Sequence, residues 1–192
     1  MIIGITGNSG TGKSEISKIL AKKIDAKVID ADEVVKELSE NGNEYYAKIV
    51  ELFGISIVEN NKLKKQQIAK IIYNDEEKRK ELNKLTYKYV VDEIKKRANN
   101  TKYKNIIIDA PLLFESGLDK ICNFTIGVIA DINKKIRRIC RRDNIEPETA
   151  RERLNIQKED EFYIQQSDYI IENNEKIDAI NWEEICTKIG KK

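Results

Sequence analysis

Eight consecutive residues carry the strongest chemical signal in this chain. Gly7-Asn8-Ser9-Gly10-Thr11-Gly12-Lys13-Ser14 satisfies the pattern G-x-x-x-x-G-K-[ST], the signature of a loop that cradles nucleotide phosphates. Glycines let the backbone curl so that several N–H groups converge on phosphate oxygens more closely than side chains could surround them. Lys13 adds a mobile positive charge for the β and γ phosphates, and the Ser14 hydroxyl is a hard oxygen of the kind Mg²⁺ takes as a ligand. The expected nucleotide contacts are therefore Gly7, Ser9, Gly10, Thr11, Gly12, Lys13 and Ser14, with Glu15 immediately beyond. Asp109 closes the apolar run Ile106-Ile107-Ile108 and is the candidate second residue for Mg²⁺, although strand-end aspartates are also common turn residues. A further acidic cluster, Asp30-Ala31-Asp32, ends another short apolar run, where open α/β sheets bind their ligands. The sequence has no histidine. Histidine zinc sites, Ser-His-Asp triads and Cys-His dyads are thereby excluded, and acid–base work falls to carboxylates or lysines.

These residues need elements to position them, and the pattern supplies a set. Met1-Ile2-Ile3-Gly4-Ile5 reads as a buried strand leading into the loop, and a helix follows from Lys13 to about Lys23. The N-terminus of that helix adds a favourable field for the same anion. Further strands are expected at Ala26 to Asp30, Lys104 to Asp109, Phe124 to Ala130 and Tyr169 to Glu172. From Glu33 to about Arg97 the chain is helical and highly charged, broken near Asn41-Gly42-Asn43, Phe53-Gly54 and Asn60-Asn61. That stretch is too long for a simple crossover. A basic helix is expected over Lys134 to Asp143, a helical pattern resumes after Pro147 through Arg151, Arg153, Leu154 and Gln157, and a last helix runs from about Asp178 to Ile189. Strands alternating with helices behind a phosphate loop argue for α/β architecture, a three-layer parallel sheet forming a single phosphate-loop unit. The expected core covers about 1–32, 104–131 and 166–192, with an inserted helical lobe over about 33–103 and an arginine-rich lid over about 132–165.

Composition sets the outer bounds. The 192 residues are 40% hydrophobic and 35% charged, and 35 Lys and Arg nearly cancel 33 Asp and Glu. That balance gives no argument for nucleic acid, and there is no apolar run long enough for a membrane span or a signal peptide. The expectation is a cytoplasmic protein, monomeric or weakly oligomeric, without membrane partners. Cys122, Cys140 and Cys186 form no C-x-x-C pair and read as reduced core thiols.

The loop implies a nucleoside triphosphate without saying what is done with it. A GTPase should carry N-K-x-D after a strand, but the nearest string, Asn83-Lys84-Leu85-Thr86, lacks the aspartate and lies in an expected helix. No L-S-G-G-Q-like signature of ABC ATPases is present. A small kinase remains: an ATP loop, an inserted lobe for the acceptor and a lid that excludes water, matching a reaction governed by positioning and charge neutralisation. Competing readings are a kinase of nucleosides or nucleoside monophosphates, an ATP-dependent switch without an acceptor, and nucleic-acid binding through Arg137 to Arg142.

A more selective pattern runs nearly end to end. Val28-Ile29-Asp30-Ala31-Asp32, Lys36-Glu37-Leu38, Gly42, Phe53-Gly54, Pro111-Leu112-Leu113-Phe114-Glu115, Arg138 with Arg142-Asp143, Arg153 with Gln157, and Asp168 through Asn173 together resemble the dephospho-CoA kinase family. The resemblance implies an adenylate-kinase-like fold, ATP and Mg²⁺ as co-substrate and cofactor, and phosphorylation of the ribose 3′-hydroxyl of dephospho-CoA, the last step of coenzyme A synthesis. It makes Asp32 the residue that accepts the hydroxyl's proton, a role compatible with Asp32 also capping a helix beginning at Glu33. It makes Arg142, and after it Arg138, the lid arginines that stabilise the moving phosphoryl group alongside Lys13, and it lines the acceptor pocket with Pro111, Leu112, Leu113, Phe114 and Glu115. Glu15 stands where the family usually has Thr, and Lys36 and Lys65 stand where it has arginines that bind the acceptor. Lysine cannot reproduce a bidentate fork. Thr86-Tyr87 replaces a His-Pro pair usual in the inserted lobe.

Overall fold

The computed structural model describes residues 1–175 and 177–191. In chain order its main elements are β1 (Ile2–Thr6), α1 (Lys13–Lys23), β2 (Ala26–Asp30), α2 (Ala31–Leu38), α3 (Glu44–Phe53), the two-residue strands β3 (Val58–Glu59) and β4 (Lys62–Leu63), α4 (Lys65–Asn74), α5 (Glu76–Asn99), β5 (Asn105–Asp109), β6 (Phe124–Ile129), α6 (Ile132–Asp143), α7 (Pro147–Asn155), α8 (Asp160–Gln166), β7 (Tyr169–Glu172) and α9 (Trp182–Gly190). The chain divides into two compact units, one of residues 1–30 with residues from 101 onward, the other of residues 31–100.

The first unit is built on a five-stranded sheet in the order β2-β5-β1-β6-β7. Every pairing is parallel. Parallel sheets are covered on both faces, which is why these strands are nearly continuous apolar runs. Successive side chains point to opposite faces. Ile3, Ile5, Ile126 and Val128 pack with Ile16 and Leu20 of α1 and with Ile185 and Ile189 of α9. Gly4 and Gly127 face the other way. A Cβ on Gly4 would lie 2.7 Å from Leu113, and one on Gly127 would lie 2.7 Å from Ser167 Oγ and 3.3 Å from Tyr163, so these glycines admit the second covering layer. The central parallel sheet with flanking helices is the architecture expected from the sequence.

Three local expectations shift. The last helix begins at Trp182 rather than near Asp178, because the Asn181 side chain caps it by accepting from the Glu184 amide at 3.1 Å. The helix after Pro147 stops at Asn155, which leaves Gln157 in a connection, and a further helix, α8, follows. Helix α2 begins at Ala31, so Asp32 lies inside its first turn and does not cap a helix starting at Glu33.

The second unit is helical except for one small hairpin. Strands β3 and β4 pair antiparallel, and Asn60 and Asn61 form the turn between them with φ of 49° and 61°, the left-handed region asparagine tolerates. Its core is Tyr45, Ile49, Phe53, Ile57 and Ile68, with Leu82, Leu85 and Tyr89 of α5 packed against it. Asp75 caps α5 by accepting from the Lys78 amide at 3.0 Å. Tyr45 hydroxyl and Thr86 Oγ1 lie 2.8 Å apart, so Thr86 is spent inside this unit. No helix among the described residues is long and apolar enough to cross a membrane.

Candidate active site

Because the five strands are parallel, their C-terminal ends share one edge, the edge at which open α/β sheets bind ligands. Thr6, Asp30 and Asp109 end β1, β2 and β5 there, with Asp30 in register with Asp109. The glycine-rich loop leaves β1, the middle strand, and runs into α1. Gly12 is the residue before that helix, and no side chain among the described residues caps it, so its first N–H groups remain for an anion.

The loop has little freedom to be anything else. Gly10 and Gly12 have φ of 79° and 87°. A Cβ on Gly10 would lie 2.5 Å from the Lys135 carbonyl oxygen, and one on Gly12 would lie 2.3 Å from Asn173 Nδ2. Both positions therefore demand glycine twice over, for conformation and for space. Around them the polar atoms are paired. Asn173 Nδ2 donates to the Thr11 carbonyl at 2.7 Å, and Thr11 Oγ1 donates to the Asn8 carbonyl at 2.9 Å. Tyr163 hydroxyl donates to Asn8 Oδ1 at 2.7 Å, and burial pushes its phenol up to about 12, so it is a neutral donor throughout the physiological range. Lys135, only 5% exposed, is neutralised by Asp160 at 2.8 Å.

The two charges expected on opposite sides of a metal–phosphate site contact each other here: the Lys13 ammonium donates to Asp109, a carboxylate only 2% exposed. Ser14 and Glu15 are both exposed at the start of α1. Arg138 reaches back to the loop, donating to the Gly10 and Thr11 carbonyls at 3.1 and 3.2 Å and to the Asn173 carbonyl at 3.0 Å. Arg142, one turn further along α6, is exposed and forks onto Asp143 at 2.7 and 3.0 Å. The hydrogen bond from Arg142, then its charge and that of Arg153, hold the Asp143 carboxyl below its ordinary value.

Beside the first half of the loop lies a cleft of about 420 Å³, lined among others by Gly7, Ser9, Pro111, Leu112, Glu115 and Tyr163. Pro111, Leu112 and Glu115 thus share a wall with the loop. Leu113 does not: it is fully buried and packs under Gly4 as core. Phe114 stacks edge to face with Phe162, their ring centres 5.8 Å apart. One carboxylate oxygen of Glu115 is buried with no hydrogen-bond partner among the described residues. In the helical unit, Lys36 pairs with Glu33 at 3.2 Å on the surface, and Lys65 opens α4 beside Lys64 and Lys70 in a depression of about 720 Å³.

For Mg²⁺ the donor types fit, since Ser14 and Asp109 offer hard oxygens, but the described residues contain no group of three or more His, Cys, Asp or Glu side chains that could hold a metal. Such a pair suits an ion that keeps waters and shares substrate phosphates.

Residues that sequence reasoning left without a role are Asn8, Lys135, Gln157, Tyr163 and Asn173. Asn173 carried the one usable signal, an asparagine closing an apolar strand. It reads as a turn residue until the sheet order brings β7 beside β6 and its backbone N–H bonds to the Ile129 carbonyl at 2.9 Å.

Relatives agree with the geometry. The sequence profile of the dephospho-CoA kinase family matches residues 1–179. A dephospho-CoA kinase of Fusobacterium nucleatum is 37% identical over 181 residues, covering 94% of this chain and 93% of its own. Among solved structures, a Thermus thermophilus protein superposes with a TM-score of 0.82 at 24% identity, covering 100% of this chain and 96% of its own. The dephospho-CoA kinase of Campylobacter jejuni superposes with a TM-score of 0.63 at 24% identity, covering 99% of this chain and 95% of its own. The structural likenesses place the fold among phosphate-loop kinases, and the sequence match, spanning both the glycine loop and the Pro111-to-Glu115 wall, goes further: the chain belongs to the dephospho-CoA kinase family.

Proposed function

We propose that this protein transfers the γ-phosphoryl group of ATP to the ribose 3′-hydroxyl of dephospho-CoA, releasing ADP and coenzyme A. The observation that carries the reading, beside family membership, is the Lys13–Asp109 pair at the C-terminal edge of the sheet, beside a loop whose bends at Gly10 and Gly12 require glycine. Phosphoryl transfer asks mainly for positioning and for opposite charge around the moving group. Lys13 turns from Asp109 to the β and γ phosphates when the nucleotide binds, and the loop amides take the remaining oxygens. Ser14 and Asp109 would hold Mg²⁺ together with phosphate oxygens and water, and the ion would supply charge neutralisation there.

The acceptor oxygen must lose a proton as it forms its bond to phosphorus and the bond to the β-phosphate oxygen breaks. Asp32 takes that proton. Its support is its type, the lack of histidine, and its position two residues beyond the end of β2. Arg142 is the cation that stabilises the transferring group, exchanging Asp143 for it, while Arg138 holds the loop from behind. Glu115, with its unpartnered oxygen, and Pro111 and Leu112 contact the acceptor, and Lys36 and Lys65 bind its anionic groups.

The test is ADP release from MgATP with dephospho-CoA, adenosine or AMP as acceptor. Stimulation by dephospho-CoA alone, with coenzyme A formed, supports the proposal. Stimulation by adenosine or AMP instead makes the protein a nucleoside or nucleotide kinase, and ATP turnover that no acceptor stimulates makes it a switch.

A further inference from the structure

The two halves of the phosphate loop are held by different segments. Gly10 and Thr11 are held through their carbonyls by Arg138 and Asn173. Asn8 and Ser9 are held by the connection between α7 and α8. There Gln157 Oε1 accepts from the Ser9 amide at 2.9 Å and Gln157 Nε2 contacts Ser9 Oγ at 3.1 Å. Asn8 Nδ2 donates to the Lys158 carbonyl at 2.7 Å. The end of α7 makes this possible: the helix stops at Asn155, the Gln157 amide bonds to the Leu154 carbonyl at 3.0 Å, and the side chain is released towards the loop.

The connection is a strut rather than part of a packed layer. Asn8, Gln157 and Lys158 line the cleft of about 420 Å³ on one side and a second cavity of about 380 Å³ on the other. Hydrogen bonds rather than apolar packing therefore set the distance between connection and loop. The carboxamide of Gln157 offers an acceptor to the Ser9 N–H and a donor to its hydroxyl, a pairing that neither a carboxylate nor an apolar side chain can reproduce.

We propose that Gln157 is a positioning residue for the nucleotide, acting through Ser9. It holds the loop's third residue in place before ATP arrives, so that the ordering of a glycine-rich segment does not have to be met out of binding energy. The inference rests on the reading of the chain as an ATP-dependent kinase, not on the identity of the acceptor. Nucleotide affinity measured without any acceptor therefore tests it independently of the dephospho-CoA assay.

Gln157→Met keeps length and volume while removing both hydrogen bonds. In the full chain, calorimetry should show MgATP binding about tenfold weaker, the size expected for two net hydrogen bonds. The KM for ATP should rise by about the same factor while kcat at saturating ATP stays within about twofold of wild type, a split that general destabilisation would not produce. Amide exchange at Ser9, read by NMR, should be slow in the wild type and about tenfold faster in the variant. Unchanged or tighter ATP binding in a folded Gln157→Met protein overturns the proposal, as does a fall in kcat with no rise in the KM for ATP. If that variant does not fold, wild-type exchange decides: a Ser9 amide exchanging at the rate of an open loop also overturns it.

Discussion

All eight buried polar or charged residues among those described, Thr6, Asn8, Thr11, Ser17, Asp109, Thr125, Lys135 and Asn173, lie in the unit that carries the phosphate loop. The helical unit of residues 31–100 is denser in charge along its sequence and buries none of it. Its ions pair on the surface, as in Lys48 with Glu51 and Lys80 with Glu77. Burying a polar group is costly unless it is bonded, while an exposed ion pair contributes little. The contrast shows where structure has been spent on geometry: several of the eight hold the loop or pair with its lysine, and the helical unit is held by apolar packing on α5.

The comparison is broken most severely at Lys13. Lys13→Ala should abolish measurable turnover and, by leaving the buried Asp109 carboxylate without its ammonium, lower stability by about 3 kcal/mol in urea unfolding. Asp32, a residue of the helical unit, is the informative exception under the proposed reaction, which has it accept the proton. Asp32→Asn should lower kcat by about 10²- to 10⁴-fold with MgATP affinity within about twofold of wild type, and a near-normal kcat would remove Asp32 from the proton-accepting role. Asn173→Ala removes the donor to the Thr11 carbonyl and should cost about 1–3 kcal/mol, with a raised KM for ATP. At the small end, Lys80→Ala in the helical unit should change stability by less than about 0.5 kcal/mol and leave kinetics untouched. A chemical probe tests burial in the phosphate-loop unit without mutation. Burial, aided by the negative charges of Asp119 and Asp168, pushes the Cys122 thiol up to about 12. At pH 8 it should react with iodoacetamide far more slowly than in the unfolded chain, as mass spectrometry of the labelled peptide would show.

What the sequence disclosed follows the same divide. The strands β1, β2, β5, β6 and β7 were legible because a doubly covered parallel strand must be apolar throughout. The loop was legible because its glycines are required locally, by backbone conformation. The hairpin of β3 and β4 was read only as a break at Asn60-Asn61, since two-residue strands leave no periodicity. Gln157, Tyr163 and Asn173 were invisible as loop supports for a different reason. Their partners lie 148, 155 and 162 residues away, and only the sheet order brings them together. Leu113 errs in the opposite direction: the Pro111-to-Glu115 string puts it beside the acceptor, yet the lack of a side chain at Gly4 draws it into the core.

The most direct measurement follows the phosphorus atom itself. The purified protein would be given dephospho-CoA and ATP carrying ¹⁸O in its γ-phosphoryl group, and the products resolved by mass spectrometry and ³¹P NMR. The account predicts coenzyme A with the labelled phosphoryl group on the ribose 3′-oxygen, formed one for one with ADP. Label found only in inorganic phosphate, or on any other position of the acceptor, would contradict it.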